Sequence, residues 1–206
     1  MTQLIGIVLA GGKSLRMGED KSLLLINGNT MLEHMLTILS QTQVSKVMVN
    51  RNVTGTHESN EGRETSDLKQ YIQDIIPNKG PLSGIHSALV NFPNADLLVV
   101  PVDMPMISAA SLNVLISNAR KHEINCRFAL ISANDGDKKT KSATMPLYIH
   151  NNSETRQKLE HTLLHSKAFS VYHFCSHFPI LEVPLENESE MTNLNYPEQL
   201  SQLKKR

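Results

Sequence analysis

Tryptophan is absent, and aromatic residues make up only 4% of the 206-residue chain. That leaves little material for the stacking platforms on which single-stranded nucleic acids lie. A surplus of one charge is missing too: 20 Lys and Arg stand against 20 Asp and Glu, for a formal net charge of zero. Binders of nucleic acid and of anionic membrane surfaces need a basic surplus, so neither class of partner is expected, although a local basic pocket stays open. The only cysteines, Cys126 and Cys175, lie far apart with no C-x-x-C pair, which excludes a zinc ribbon or a thioredoxin-type motif. A reduced, cytoplasmic chain is the simplest expectation. The apolar start, Leu4 to Ala10, is too short and too glycine-bounded for a secretion signal or a membrane span, and no basic segment precedes it. Repeats and low-complexity tracts are also lacking.

Hydrophobic residues account for 40% of the chain and charged residues for 19%. This length and balance suit one domain, residues 1–206, with a core that needs no disulfide or metal staple. Short apolar runs alternate with longer amphipathic ones. Leu4–Leu9, Lys46–Asn50, Leu97–Pro101, Phe128–Ser132 and Pro146–His150 read as strands, with further strands over Tyr71–Ile76, Ser170–Phe174 and Ile180–Val183. Leu23–Ile26 is a short extended piece ending in an Asn27-Gly28 turn. Thr30 and Glu33 form a capping box for a helix that carries Leu32, Met35, Leu36 and Leu39 on one face. Ser83 and Ser108 are expected to cap two more helices, and Glu154–Leu164 and Pro197–Leu203 read as helical. Residues 51–66 and Asn134–Ser142 are polar loops. Strand–helix alternation of this kind implies an α/β fold with a mostly parallel central sheet flanked by helices. Ligands of such sheets sit beyond the carboxyl ends of the strands, which directs attention to residues 10–21, 50–52, 74–84 and 103–107.

The first of these segments, Leu9-Ala10-Gly11-Gly12-Lys13-Ser14-Leu15-Arg16-Met17-Gly18-Glu19-Asp20-Lys21, follows a buried strand directly. Glycines permit close backbone approach and an anion nest of N–H groups, and Arg16 and Lys21 add two positive charges. These are the parts of a triphosphate cradle. It is not a Walker A loop, which would need glycine where Ile7 stands, nor does it have the G-x-G-x-x-G spacing of a dinucleotide site.

The same segment resembles the signature LAGG-x-S-x-R-M-G-x-D-K of the molybdenum cofactor guanylyltransferase family of nucleotidyltransferases. Related cytidylyltransferases usually carry LAAG, so Gly11 favours the guanylyl branch. The resemblance continues through Val49-Asn50-Arg51-Asn52, through Asp74 with Gly80-Pro81-Leu82-Ser83-Gly84-Ile85, through Pro101-Val102-Asp103-Met104-Pro105, and through Asn193-Leu194-Asn195-Tyr196-Pro197-Glu198-Gln199-Leu200. It implies a Rossmann-like nucleotidyltransferase fold whose N-terminal part binds GTP and whose C-terminal part binds the acceptor. By the same resemblance, Leu9, Ala10 and Gly11 bind GTP, with Gly12 and Ser14 close by. Lys21 and Arg16 face the phosphates, Asn50 and Asp74 bind the nucleoside, and Asp103 binds Mg²⁺ and has a catalytic role with Arg16 and Lys21. Asn195 would approach the metal or the pterin. The reaction implied is transfer of GMP from GTP to Mo-molybdopterin with release of pyrophosphate. Other partners implied are proteins of the molybdenum cofactor pathway and the molybdoenzymes that accept its product.

Read from the residues alone, Asn50 and Asp74 could equally be turn residues, and Asn195 an Asx-type helix cap. Asp103 ends a core strand, where a lone carboxylate needs a partner, and Mg²⁺ with phosphate oxygens is a suitable one. His161 and His165 lack the glutamate of a zinc-protease motif and are expected on a solvated helix face. Ser14 lacks the G-x-S-x-G context of a hydrolase nucleophile. Lys138, Lys139 and Lys141 form a basic loop cluster of the kind that is usually only solvated. Tyr196, Met145 and the length of the 51–66 loop depart from the family pattern. Two other readings stay open: a relative that uses CTP or another phosphorylated acceptor, and a non-catalytic nucleotide-binding protein of the same fold.

Overall fold

The structure is a computed structural model and describes residues 2–11, 20–52, 70–123, 126–133, 142–185 and 187–194. Strand β1 (Gln3–Leu9) is buried from Leu4 onward and lies inside a seven-stranded sheet. It pairs in parallel with β4 (Lys46–Asn50) on one side and β6 (Ala95–Pro101) on the other. A small hairpin, β2 (Leu25–Ile26) and β3 (Asn29–Thr30), turns through Asn27 and Gly28 and leads into α1 (Met31–Ser40). The Thr30–Glu33 capping box is present there as expected. Strand β5 (Tyr71–Ile72), α2 (Pro81–Asn91), α3 (Ala109–Lys121), β7 (Phe128–Ala133), β8 (Ser142–Ile149), α4 (Ser153–His165), α5 (Val171–Cys175) and β9 (Ile180–Leu185) complete the described elements, with two short 3₁₀ turns at Lys21–Leu23 and Glu188–Met191.

The sheet order is β5-β4-β1-β6-β8-β7-β9. Only β8 runs against its neighbours, β6 and β7. Both faces of the central strands are covered, so their sequences are continuous apolar runs in which alternate residues serve opposite cores. Leu4, Val8, Leu98 and Val100 pack with α1 and α3. Ile5, Ile7, Leu97 and Val99 pack with α2, α4 and α5. Asp96, near the start of β6, is buried and accepts hydrogen bonds from the Tyr148 hydroxyl at 2.9 Å, from His150 Nδ1 at 3.2 Å and from the Asn151 amide at 3.1 Å. The antiparallel strand is thereby tied to β6 at its amino end, away from the ligand edge.

Four local expectations are corrected. Strand β5 stops at Ile72 rather than Ile76, because the next backbone and side-chain groups are bonded by two asparagines from the end of β4. Helix α2 begins at Pro81, with Gly80 as its N-cap at φ +65 and ψ −153, a backbone region open to glycine alone. Ser83 therefore lies inside the helix, where its hydroxyl accepts from the Lys79 amide at 3.1 Å. The segment expected as a strand at Ser170–Phe174 is the short helix α5, capped by Ser170. Val171, Phe174 and Cys175 are its buried residues, a helical i, i+3, i+4 stripe that aromatic and β-branched content concealed. Strand β8 begins at Ser142, so the expected loop ends before that residue. The expected helix at Pro197–Leu203, the polar stretch from residue 53 onward and Lys138, Lys139 and Lys141 lie outside the described residues.

Candidate active site

The register levels three strand ends, with Leu9 opposite both Asn50 and Pro101. Gly11, Asn50–Asn52 and Asp103 therefore emerge together at the carboxyl edge of the sheet. The Ala10 amide donates to the Asn50 carbonyl at 3.0 Å and the Val102 amide to the Leu9 carbonyl at 3.1 Å, so the ladder continues to the rim. Leu9 and Ala10 are buried, and the chain reaches solvent at Gly11.

Asn50 is 5% exposed and its amide nitrogen donates twice, to the Ile72 carbonyl at 3.3 Å and to Asp74 Oδ1 at 2.9 Å. Asn52 donates to Asp74 Oδ2 at 2.6 Å and accepts from the Asp74 amide at 2.8 Å. The two asparagines hold the aspartate backbone and carboxylate from one side. From the other side, α2 presses against Asn50 at Gly84. A Cβ on Gly84 would stand 2.1 Å from Asn50 Oδ1 and 2.6 Å from its Cγ, which no side chain tolerates. Gly84 is thus required for Asn50 to sit where it does. Gly11 lies over the same asparagine, a Cβ there being 3.9 Å from its backbone and side-chain oxygens.

Lys21 approaches from the 3₁₀ turn at the end of the glycine loop. Its Nζ donates to Asp103 Oδ2 at 3.2 Å and to the Leu194 carbonyl at 2.9 Å. The Leu194 amide donates in turn to the Asp103 carbonyl at 2.8 Å, so the chain near residue 194 returns to the site. Asp20 sets the turn: its Oδ1 accepts from the Ser22 amide at 2.9 Å and from the Ser22 hydroxyl at 2.7 Å, and its Oδ2 is paired with Arg51. Lys21 and Asp103 side chains are about one-fifth exposed, at 18% and 21%, open enough for a ligand to reach.

Six of the expected residues, Ala10, Gly11, Lys21, Asn50, Asp74 and Asp103, therefore share one rim. Leu9 contributes its carbonyl to the ladder and its side chain to the core. Gly12, Ser14, Arg16 and Asn195 lie outside the described residues. Asp20, Arg51, Asn52 and Gly84 were not singled out as site residues. The first three also stand in the quoted motifs, but the Arg51–Asp20 and Asn52–Asp74 pairs join residues distant in sequence. Gly84 was legible only as part of a motif. Ser108 caps the helix that follows Asp103, as expected, its hydroxyl accepting from the Ser111 amide.

The donor set fits a hard divalent cation in one respect. Asp103 offers a carboxylate about one-fifth exposed at the rim, and Mg²⁺ sites commonly use one or two carboxylates completed by phosphate oxygens and water. Among the described residues no group of three or more His, Cys, Asp or Glu is arranged to hold an ion without such help.

Residues 6–177 match the MobA-like NTP transferase domain. The chain belongs to the MobA-like NTP transferase family. Two relatives bear the name molybdenum cofactor guanylyltransferase. One, from Xanthomonas euvesicatoria pv. vesicatoria, is 41% identical over 115 residues, covering 54% of this chain and 53% of that protein. The other, from Histophilus somni, is 31% identical over 178 residues, covering 82% and 86%. The match thus spans about half the length of the first relative and most of the second. The solved molybdopterin-guanine dinucleotide biosynthesis protein A from Archaeoglobus fulgidus has the same fold, with a TM-score of 0.73 at 19% identity over 98% of this chain and 97% of that one. Rv0371c from Mycobacterium tuberculosis, solved as a complex with manganese, shares it at a TM-score of 0.61 and 17% identity over 89% of each chain. Among the described residues no helix is long and apolar enough to cross a membrane.

Proposed function

We propose that this member of the MobA-like family transfers GMP from GTP to the terminal phosphate of Mo-molybdopterin, forming molybdopterin guanine dinucleotide and releasing pyrophosphate. The observation that carries the reading is the rim itself: an Asn50–Asp74 pair wedged by Gly84, beside a Lys21–Asp103 pair, at the end of a glycine-bearing strand. The names borne by the relatives support the same choice of base and acceptor. Residues 1–206 act as one domain in this reading, with the nucleotide on the N-terminal part and the acceptor on the C-terminal part. Both described cysteines are free and buried, which suits a reducing, cytoplasmic setting.

The base is read at Asp74. Guanine presents two adjacent N–H donors on one edge, whereas cytosine presents a single amine, so an oriented carboxylate distinguishes them. Asn50 and Asn52 hold that carboxylate in one orientation before the nucleotide arrives. The exposed backbone at Gly11, with Gly12 and Ser14 beyond it, lies against the triphosphate. Lys21 and Arg16 neutralise charge that builds on the α-phosphoryl group and the departing pyrophosphate. Asp103 would hold Mg²⁺, which supplies further charge neutralisation through the phosphate oxygens. The attacking phosphate oxygen is already anionic near neutral pH, so no general base is needed and positioning carries the reaction. Asn195 would approach the metal or the pterin.

Pyrophosphate release from GTP and from CTP, each with molybdopterin and Mg²⁺, tests the reading. GTP is expected to be preferred by at least ~10-fold in kcat/KM, about 1.4 kcal/mol. Equal rates or a preference for CTP would overturn the guanylyl assignment, and turnover of neither would leave a nucleotide-binding protein.

A further inference from the structure

Four of the nine histidines lie around one cleft on the flank formed by α4 and α5, apart from the nucleotide rim. The cleft has a volume of about 270 Å³. His161 and His165 stand one turn apart on the last turns of α4, and His173 and His177 one turn apart on α5 and the turn after it. All four are exposed. The ring centres are 4.6 Å apart in the first pair and 4.9 Å apart in the second.

Those separations carry chemical meaning. With a Zn–N bond of about 2.1 Å, each ring centre lies about 3.2 Å from a shared ion, and N–metal–N angles between about 90° and 109° then set two ring centres roughly 4.5 to 5.2 Å apart. Both observed pairs fall within that range. His177 Nδ1 donates to the His173 carbonyl at 2.8 Å, which fixes its neutral tautomer with the Nε2 lone pair outward. Imidazole pairs suit borderline ions such as Zn²⁺, Ni²⁺ and Cu²⁺ and not Mg²⁺.

We propose that this cleft is a transition-metal site in which each histidine pair acts as a two-nitrogen chelate, completed by water. The pair is the unit because, among the described residues, no three ligating side chains converge on one point. An ion on either wall staples residues one helical turn apart and leaves the nucleotide rim untouched.

The test is calorimetric titration of the full-length protein with ZnCl₂, carried out in an Asp103→Asn background so that an ion at the rim does not contribute. Visible absorption on Co²⁺ or Ni²⁺ addition gives a second readout, and thermal midpoint with and without Zn²⁺ a third. Binding is expected in the background protein. His161→Ala/His165→Ala and His173→Ala/His177→Ala are each expected to lower the ions bound or weaken affinity by at least the roughly 10-fold that loss of a supporting group causes at such sites. The variant lacking all four histidines should not bind. Circular dichroism checks that these exposed substitutions leave the fold intact. Absence of binding in the background protein, undiminished binding without the four histidines, or loss confined to one pair would overturn the assignment. So would a cleft that takes inorganic phosphate and no metal.

Discussion

Lys21 and Asp103 are separated by 82 residues in sequence and joined at 3.2 Å in space. The lysine ends the glycine loop and the aspartate follows the central strand β6, so their contact closes the rim over the end of β1. With side chains 18% and 21% exposed, the pair adds little to stability, about 0–1 kcal/mol as for other accessible pairs. In the proposed reaction the pair sets one positive and one negative group beside the metal–triphosphate.

Lys21→Ala and Asp103→Asn are accordingly expected to lower turnover by roughly 10²-fold or more each. The thermal midpoint should stay close to that of the parent protein. For Asp103→Asn, GTP affinity should fall less than kcat, since the backbone at Leu9–Gly11 is unchanged. Steady-state rates, nucleotide titration and a melting curve on the same preparations check this. Full activity in either variant would make that residue structural only.

Gly84→Ala tests the wedge beneath the asparagine. The new Cβ would meet Asn50 Oδ1 at 2.1 Å and Leu9 Cδ2 at 2.9 Å. Overpacking of that kind costs about 1–3 kcal/mol, and Asn50 must leave its place against Asp74. Nucleotide affinity should drop by roughly 10-fold or more. Adding Asn50→Ala should recover stability and leave the affinity low. A Gly84→Ala protein that binds GTP normally would show that the Asn50–Asp74 contact is dispensable.

His86 provides an expectation for pH. It is 2% exposed on α2, its Nδ1 has no hydrogen-bond partner among the described residues, and burial holds its pKa below the ordinary 6.5, with Glu160 opposing. Between the lowered folded value and 6.5 the unfolded chain binds more protons than the folded one, so stability rises with pH in that window and falls as pH drops below about 6.5. Urea unfolding at a series of pH values should show the decline, and His86→Leu should flatten it. An unchanged slope in the variant would assign the acid sensitivity to another group.

Cysteine chemistry should report unfolding rather than surface reactivity. Cys175 is 1% exposed and burial pushes its thiol up to about 12, and Cys126 is also raised by burial. A thiolate is the reactive form, so an alkylating reagent at pH 8 should label neither residue in the folded protein and both in denaturant. Rapid labelling of Cys175 in the native protein would mean that the α5 flank opens locally.

The sequence by itself determined the long apolar strands at the centre of the sheet. Both faces of β1 and β6 are buried, and only an unbroken apolar run satisfies that, so these elements could be read without a structure. The Thr30–Glu33 box and the Ser108 cap were legible for a similar reason, because their partners lie within one helical turn. Family motifs marked the rim residues one at a time, since each sits in the few positions after a strand. Tertiary structure alone decided what holds them. Asn52, Arg51 and Asp20 are unremarkable polar residues until β1, β4 and β5 come level and bring their partners into reach. The helical state of Val171–Cys175 and the start of α2 at Gly80 were also settled there, because short segments with mixed propensity take the conformation their packing surface imposes. Gly84 shows the division most plainly. In sequence it is a glycine in a helix, where propensity disfavours it by about 1 kcal/mol. In the fold it leaves room for the Asn50 side chain, and only a contact 34 residues back along the chain explains why no larger residue fits.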